Sequence, residues 1–275
     1  MRIDSHQHFW KYQPVRDAWI TDDMKVIQRD FLPADLWPLL QQNNVDGCVA
    51  VQADQSEAET DFLLSAAAEN DWIKGIVGWV DLRAADLEER LEHYKKYPKL
   101  KGFRHVLQAE QADDFILDKG FCQGISMLST YYFTYDILVY PKQLKYVAPF
   151  VRQFPDQAFV IDHLAKPDLK NGGNTDWEKD IKAAAAYPNV YCKVSGMVTE
   201  ADWKNWQPDD FTQSLDIVTE AFGISRLLFG SDWPVCGVSA SYQEVCNVAH
   251  RYFMQFSIED QEKFWGKNAV EFYHL

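Results

Sequence analysis

Eight short runs rich in apolar and β-branched residues alternate with helix-like segments along 275 residues, and that alternation predicts an α/β fold, a TIM-type (β/α)₈ barrel in a single domain, residues 1–275. Two further observations favour the closed barrel. The runs are nearly continuous in apolar residues, as suits strands buried on both faces. The first strand-to-helix turn carries no GxGxxG, the glycine pattern usual at that point in an open doubly wound sheet. No Gly/Ser-rich linker, short-period repeat or low-complexity tract divides the chain.

The strand-like runs lie at 2–6, 45–52, 73–80, 100–105, 134–139, 158–163, 190–194 and 227–230, most with breakers nearby such as Gly47, Pro98, Pro141, Pro155, Pro188 and Gly223. After the second run, Ser56 and Glu59 have capping-box spacing ahead of Phe62, Leu63 and Leu64. After the third, Leu87, Leu91 and Tyr94 form an i, i+4, i+7 stripe among Glu and Lys. After the sixth, Gly172 and Gly173 read as a polar turn, and Thr175 with Glu178 repeats the capping spacing ahead of Ile181 and a run of alanines. After the eighth, Ser241 and Glu244 open a helix with Val245, Val248, Ala249 and Tyr252 on one side.

The formal net charge of −14 makes nucleic acid and an anionic membrane surface poor partners. No apolar stretch approaches the ~18 residues that cross a bilayer. The opening residues carry no basic-then-apolar leader, and the five cysteines are scattered with no CxxC, so a reduced cytoplasm is expected. No GxSxG elbow supports a serine hydrolase. A homo-oligomer is expected on base rates alone.

The chemistry gathers at strand ends. His6 and His8 close the first run and, by strand alternation, point the same way. His163 ends the sixth run and Asp232 follows the eighth. Barrel active sites are built on the C-terminal strand ends, so these four residues converge if the sheet closes. Three imidazoles and a carboxylate suit zinc, manganese, iron or nickel. Singly, His163 reads equally well as a hydrogen-bonded core histidine and Asp232 as a helix cap before Trp233 and Pro234; together at matching ends they point to a functional site. Arg104 and His105 end the fourth run, Asp136 lies in the fifth and Lys193 in the seventh. These could bind a polar substrate or form structural ion pairs. Phe9, Trp10, Trp79 and Trp233 are candidates to stack on a sugar ring or to pack in the core. His93, His250 and His274 lack partners at ligand spacing and read as surface or packing residues.

Ile-Asp-Ser-His-Gln-His-Phe-Trp at 3–10, Ile-Asp-His-Leu-Ala-Lys-Pro at 161–167 and Leu-Leu-Phe-Gly-Ser-Asp-Trp-Pro at 227–234 resemble the amidohydrolase superfamily. Within it they resemble the branch of sugar-lactone hydrolases typified by L-fuconolactonase and L-rhamnono-lactonase. Gly102-Phe103-Arg104-His105, Lys193-Val194-Ser195-Gly196 and the closing 267–273 extend the likeness to the C-terminus. The resemblance implies a distorted barrel with metal or water contact at His6, His8 and His163 and a general base at Asp232. It implies one divalent metal ion, zinc first. Arg104 and His105 stand where many relatives carry a metal-bridging modified lysine, which speaks against two metals, and no histidine closes the fifth run. A related pyrone-lactone branch is thought to work without a tightly held metal, so metal-free catalysis stays open.

The expected reaction is metal-assisted opening of an aldonolactone to the sugar acid. Asp232 would act as base, with His163, Arg104 or His105 near the developing oxyanion. Two alternatives are a metal-dependent nonoxidative decarboxylase, with Arg104 and Lys193 holding a substrate carboxylate, and a noncatalytic sugar-binding barrel.

Overall fold

A computed structural model describes residues 1–172 and 174–275, so Gly173 of the expected glycine turn lies outside the described residues. Eight parallel strands pair in chain order: β1 (Ile3–Gln7), β2 (Gly47–Val51), β3 (Ile73–Gly78), β4 (Leu100–His105), β5 (Thr134–Ile137), β6 (Phe159–Ile161), β7 (Val190–Val194) and β8 (Leu227–Phe229). All eight expected runs are strands. The sixth stops two residues early because His163 and Leu164 turn into the left-handed region.

Closure between β8 and β1 uses few ladder bonds. Asp232 N donates to His6 O at 2.8 Å and His8 N to Trp233 O at 2.7 Å. The Ser5 hydroxyl donates to Phe229 O at 2.6 Å. The register of β1 against β2 shifts between Asp4 and Gln7. The barrel is therefore distorted at the seam that carries His6, His8 and Asp232.

Strand alternation sorts the side chains. Cys48, Ala50, Ile76, Phe103, Tyr135, Ile137, Phe159, Ile161, Cys192 and Phe229 join the core beneath the helices. Ile3, Val49, Val51, Val77, Val160 and Leu228 pack inside the barrel, where Phe272 and Tyr273 of the last helix plug its floor. Above this apolar layer the interior turns polar, with Arg104, Asp136, Asp162 and Lys193 buried.

The helices cover the outside: α1 (Pro33–Gln42), α2 (Glu57–Glu69), α3 (Leu87–Tyr94), α4 (Lys119–Leu128), α5 (Pro141–Leu144), α6 (Val147–Val151), α7 (Thr175–Ala185), α8 (Met197–Glu200), α9 (Thr212–Phe222), α10 (Tyr242–Phe253), α11 (Ile258–Glu262) and α12 (Asn268–Tyr273). Leu87, Leu91 and Tyr94 are the buried face of α3, as their spacing predicts. Ser241 and Glu244 form the reciprocal capping box of α10. Thr175 is the first residue of α7 rather than its cap; Asn174 precedes it, and its side-chain oxygen accepts from Asp168 N instead. Among the described residues, no helix is long and apolar enough to cross a membrane.

At α2 the capping spacing is half used. Ser56 accepts from Glu59 N at 3.2 Å, while the Glu59 carboxylate turns inward to accept from Ala53 N at 2.9 Å. Burial pushes the Glu59 carboxyl up to about 7, against the opposing pull of that bond and of Arg16. A folded pKa above the unfolded one gives stability that is full below pH ~4.5 and is lost as pH rises through about 7. Glu59→Gln keeps an acceptor for Ala53 and removes the titration. Its melting temperature is expected to match the wild type near pH 5 and exceed it at pH 8, by at most about 3 kcal/mol of stability. Parallel wild-type and variant melting curves across that range would refute this.

Candidate active site

His6 reaches the barrel mouth on the inner side of β1, and His8 follows it across the seam. Their rings meet edge to face with centroids 4.9 Å apart, and their Nε2 atoms are 3.2 Å apart. His163 leaves β6 in a left-handed turn and brings its ring to 4.4 Å from His6. Asp232, itself at φ 58°, completes the group. Its Oδ1 lies 3.5 Å from His8 Nε2, 3.9 Å from His163 Nε2 and 4.0 Å from His6 Nε2. The structure thus brings the four principal candidates onto one carboxylate oxygen, none more than 6% exposed.

Neighbouring groups orient this cluster. His8 Nδ1 donates to Val51 O at 2.8 Å, which leaves the Nε2 lone pair facing inward. His163 Nδ1 pairs with the Ser195 hydroxyl at 2.9 Å. A Cβ on Gly196 would lie 2.7 Å from His163 Nδ1, so only glycine fits there. Asp4 ties the two sides of the seam: it accepts from Ser231 N (2.9 Å), Ser231 Oγ (2.6 Å), Tyr242 OH (3.1 Å) and His6 N (3.2 Å). Burial raises the Asp4 carboxyl to about 6, partly offset by the Ser231 bonds.

Burial pushes both His6 and His163 well below the usual histidine range, so both are neutral imidazoles. Burial opposes ionisation of Asp232, but the neighbouring His163 and His8 rings and the charge of Lys166 outweigh it and hold the carboxyl below its ordinary value. The donor set fits a borderline divalent cation. His6, His8 and Asp232 offer one atom each within 4.8 Å of one another, and His8 turns an unprotonated nitrogen to the centre.

Beneath His6 lies a buried charge network. Arg104 donates Nε and Nη2 to Gln52 Oε1 (3.1 and 2.8 Å) and Nη1 to Asp162 Oδ2 (3.0 Å). Lys193 Nζ donates to Asp136 Oδ2 and lies 3.1 Å from both Asp162 Oδ1 and His6 Nδ1. Tyr273 OH bonds Asp136 from the barrel floor. Despite burial, Lys193, His6 and Arg104 hold Asp162 well below the usual carboxylate range. Burial, with Asp162 nearby, lifts Asp136 to about 6.

A cavity of about 430 Å³ opens above the cluster. Of the expected residues, His8, Arg104, His163 and Asp232 line it; Arg16, Trp19, Asp54, Gln55, Tyr140 and Lys166 line it as well. Substrate contact expected of Asp136 and Lys193 finds no surface, since both have no exposure and sit below His6. His105, next to Arg104 on the strand, points the other way. It bonds Glu110 at 2.7 Å, accepts from Trp79 Nε1 at 3.4 Å and stacks on Phe115, so neither His105 nor Trp79 reaches the cavity wall. Trp233 packs edge-on against Phe9 and Phe31; Phe9 and Trp10 are core. Trp19 sits between β1 and α1 in a segment with no periodicity to mark it. Lys166 stands inside the 161–167 motif, where its position beside the strand end was a usable signal.

The amidohydrolase family pattern matches residues 3–275. An L-fucono-1,5-lactonase of Burkholderia multivorans is 40% identical over 100% of this chain and 96% of its own length. An L-fucono-1,5-lactonase of Burkholderia ambifaria is 34% identical over the same shares. The crystal structure of an amidohydrolase from Burkholderia multivorans with bound zinc superimposes with a TM-score of 0.96 at 40% identity, covering 100% of this chain and 99% of that one.

Proposed function

This chain belongs to the amidohydrolase family, and from that premise we propose that it hydrolyses a sugar lactone, an aldonolactone such as L-fucono-1,5-lactone or L-rhamnonolactone, to the open sugar acid. The observation that carries the reading is the meeting of His6, His8 and His163 on Asp232 at the floor of a sugar-sized cavity. The 40% identity to a lactonase over the whole chain supports it. One divalent ion, zinc first, would be held by His6, His8 and Asp232 with His163 beside them. When bound, it polarises the carbonyl and acidifies water.

Asp232 stays ionised and takes a proton from the attacking water as the water oxygen bonds to the lactone carbonyl carbon. The carbonyl electron pair moves onto its oxygen, beside His163 and the fixed charge of Arg104. Arg104 acts here through its field, because Gln52 and Asp162 already engage its N–H groups. The electron pair then returns, the bond from the carbonyl carbon to the ring oxygen breaks, and Asp232 gives its proton to that oxygen. The sums balance: lactone and water become one hydroxy acid.

The decarboxylase alternative assigns the substrate carboxylate to Arg104 and Lys193, but Lys193 is fully buried and Arg104 is engaged, so neither of those two offers it free donors. The test is a nuclear magnetic resonance screen of L-fucono-, L-rhamnono-, D-galactono- and D-glucono-lactones, with and without added zinc and beside aromatic acids. Accelerated ring opening of at least one lactone is expected. No opening above buffer would remove the proposal, and carbon dioxide release would replace it with the decarboxylase. Binding without turnover would leave a sugar-binding barrel.

A further inference from the structure

The chain leaves β6 through four consecutive left-handed residues, His163, Leu164, Ala165 and Lys166, at φ of 54°, 53°, 54° and 55°. None is glycine, and each such residue costs about 1 kcal/mol or more. Strain of this kind persists where the surroundings over-determine it. Here the Trp177 indole donates to Leu164 O at 2.7 Å, Lys166 N donates to His163 O at 2.7 Å, and Gly196 makes room for the His163 ring.

The turn places His163 and Lys166, three residues apart, on the wall of the cavity that Asp232 also lines. The Lys166 side chain is 16% exposed, and Glu200 of α8 holds its ammonium at 2.9 Å. Tyr140 presents its ring to the same ammonium, 5.4 Å from the ring centre. An ammonium has three N–H donors. Glu200 takes one, and among the described residues no other acceptor bonds to it. Of the other cations on this wall, Arg104 has its donors taken by Gln52, Asp162 and His6, and Arg16 is anchored to Asp17 and Lys11 O through Nε and Nη2, with only its Nη1 free of an acceptor among the described residues. Lys166 therefore faces the cavity with donors to spare, on a side chain fixed at its tip. That is the arrangement that recognises an oxygen-rich ring with little ordering cost on binding.

We propose, resting on the lactonase reading above, that Lys166 is a substrate-contacting residue whose ammonium, fixed by Glu200, donates to an oxygen substituent of the sugar ring and orients the lactone over Asp232. The left-handed turn is the device that sets this contact and His163 on one wall. A purely structural Lys166 would only tie the turn to α8.

Steady-state kinetics on L-fucono-1,5-lactone with Lys166→Met and Lys166→Arg separate the two. Losing a charged hydrogen bond to substrate should raise KM roughly ten- to hundred-fold in Lys166→Met, with kcat changed less. Melting temperature and zinc content should stay at wild-type values, and Lys166→Arg, which keeps a donor, should recover most of the loss. A KM within about twofold of wild type would overturn the proposal, as would a defect that follows melting temperature or zinc content equally in both variants. If the wild-type protein opens no lactone, the lactonase reading fails separately. Calorimetry with L-fuconate then decides Lys166 alone. Binding that Lys166→Met weakens about tenfold upholds it, and equal or absent binding overturns it.

Discussion

Asp232→Asn is expected to lower kcat for lactone opening by about 10³-fold while leaving the protein folded. The side chain keeps its size and loses its capacity to take the water proton. The backbone should tolerate the change: residue 232 sits at φ 58°, and asparagine is among the residues that enter the left-handed region most readily. The seam bond from residue 232 N to His6 O involves no side chain. The variant would still offer an amide oxygen beside His6 and His8 as a metal donor, so the expected change in zinc content is modest. Rates within tenfold of wild type, at equal zinc content and unchanged melting temperature, would take the base role away from Asp232.

Lys193→Met should be the most destabilising single change in the barrel interior. Lys193 and Arg104 balance Asp136 and Asp162 in the buried interior, where Lys193 and both carboxylates have no exposure. Removing one cation leaves an uncompensated buried carboxylate, a loss of about 3–5 kcal/mol. Methionine fills much of the lysine volume, so the loss reflects charge more than cavity. Adding Asp136→Asn should restore a large part of it, because the pair then leaves together and Tyr273 OH still finds an amide oxygen. Denaturation midpoints of the two single variants and the double variant measure this coupling. A Lys193→Met loss below about 1 kcal/mol would show that the network is not balanced as described.

The barrel was readable because buried parallel strands are apolar on both faces, and each of the eight runs stands out between helical segments. The site was readable where it sits on strand ends: His6, His8, His163 and Asp232 follow from chain position once the sheet closes. Alternation also separates Arg104 from His105, since adjacent strand residues point to opposite sides, and this shows why His105 meets Trp79 and Glu110 rather than the cavity. Depth is what alternation does not supply. Asp136 and Lys193 point inward like Arg104, yet they lie below His6, and only the shear and the seam distortion decide that. Trp19 reaches the cavity from an irregular segment, where no period marks which side chain turns inward. The left-handed turn after β6 carries no glycine, so its residues give no local sign of the backbone they adopt. Asn174 spends its side chain on Asp168, a contact in its own loop that competes with capping α7.

On the reading proposed here, the three histidines and Asp232 form a hydrolytic centre for a lactone. Its most direct test is the initial rate of acid release from L-fucono-1,5-lactone at fixed pH, measured with wild-type protein of known zinc content against buffer alone. A protein-dependent rate, proportional to enzyme and yielding one equivalent of acid per lactone, is the predicted result. A rate equal to buffer on this lactone and on the other aldonolactones, with zinc supplied, would contradict it.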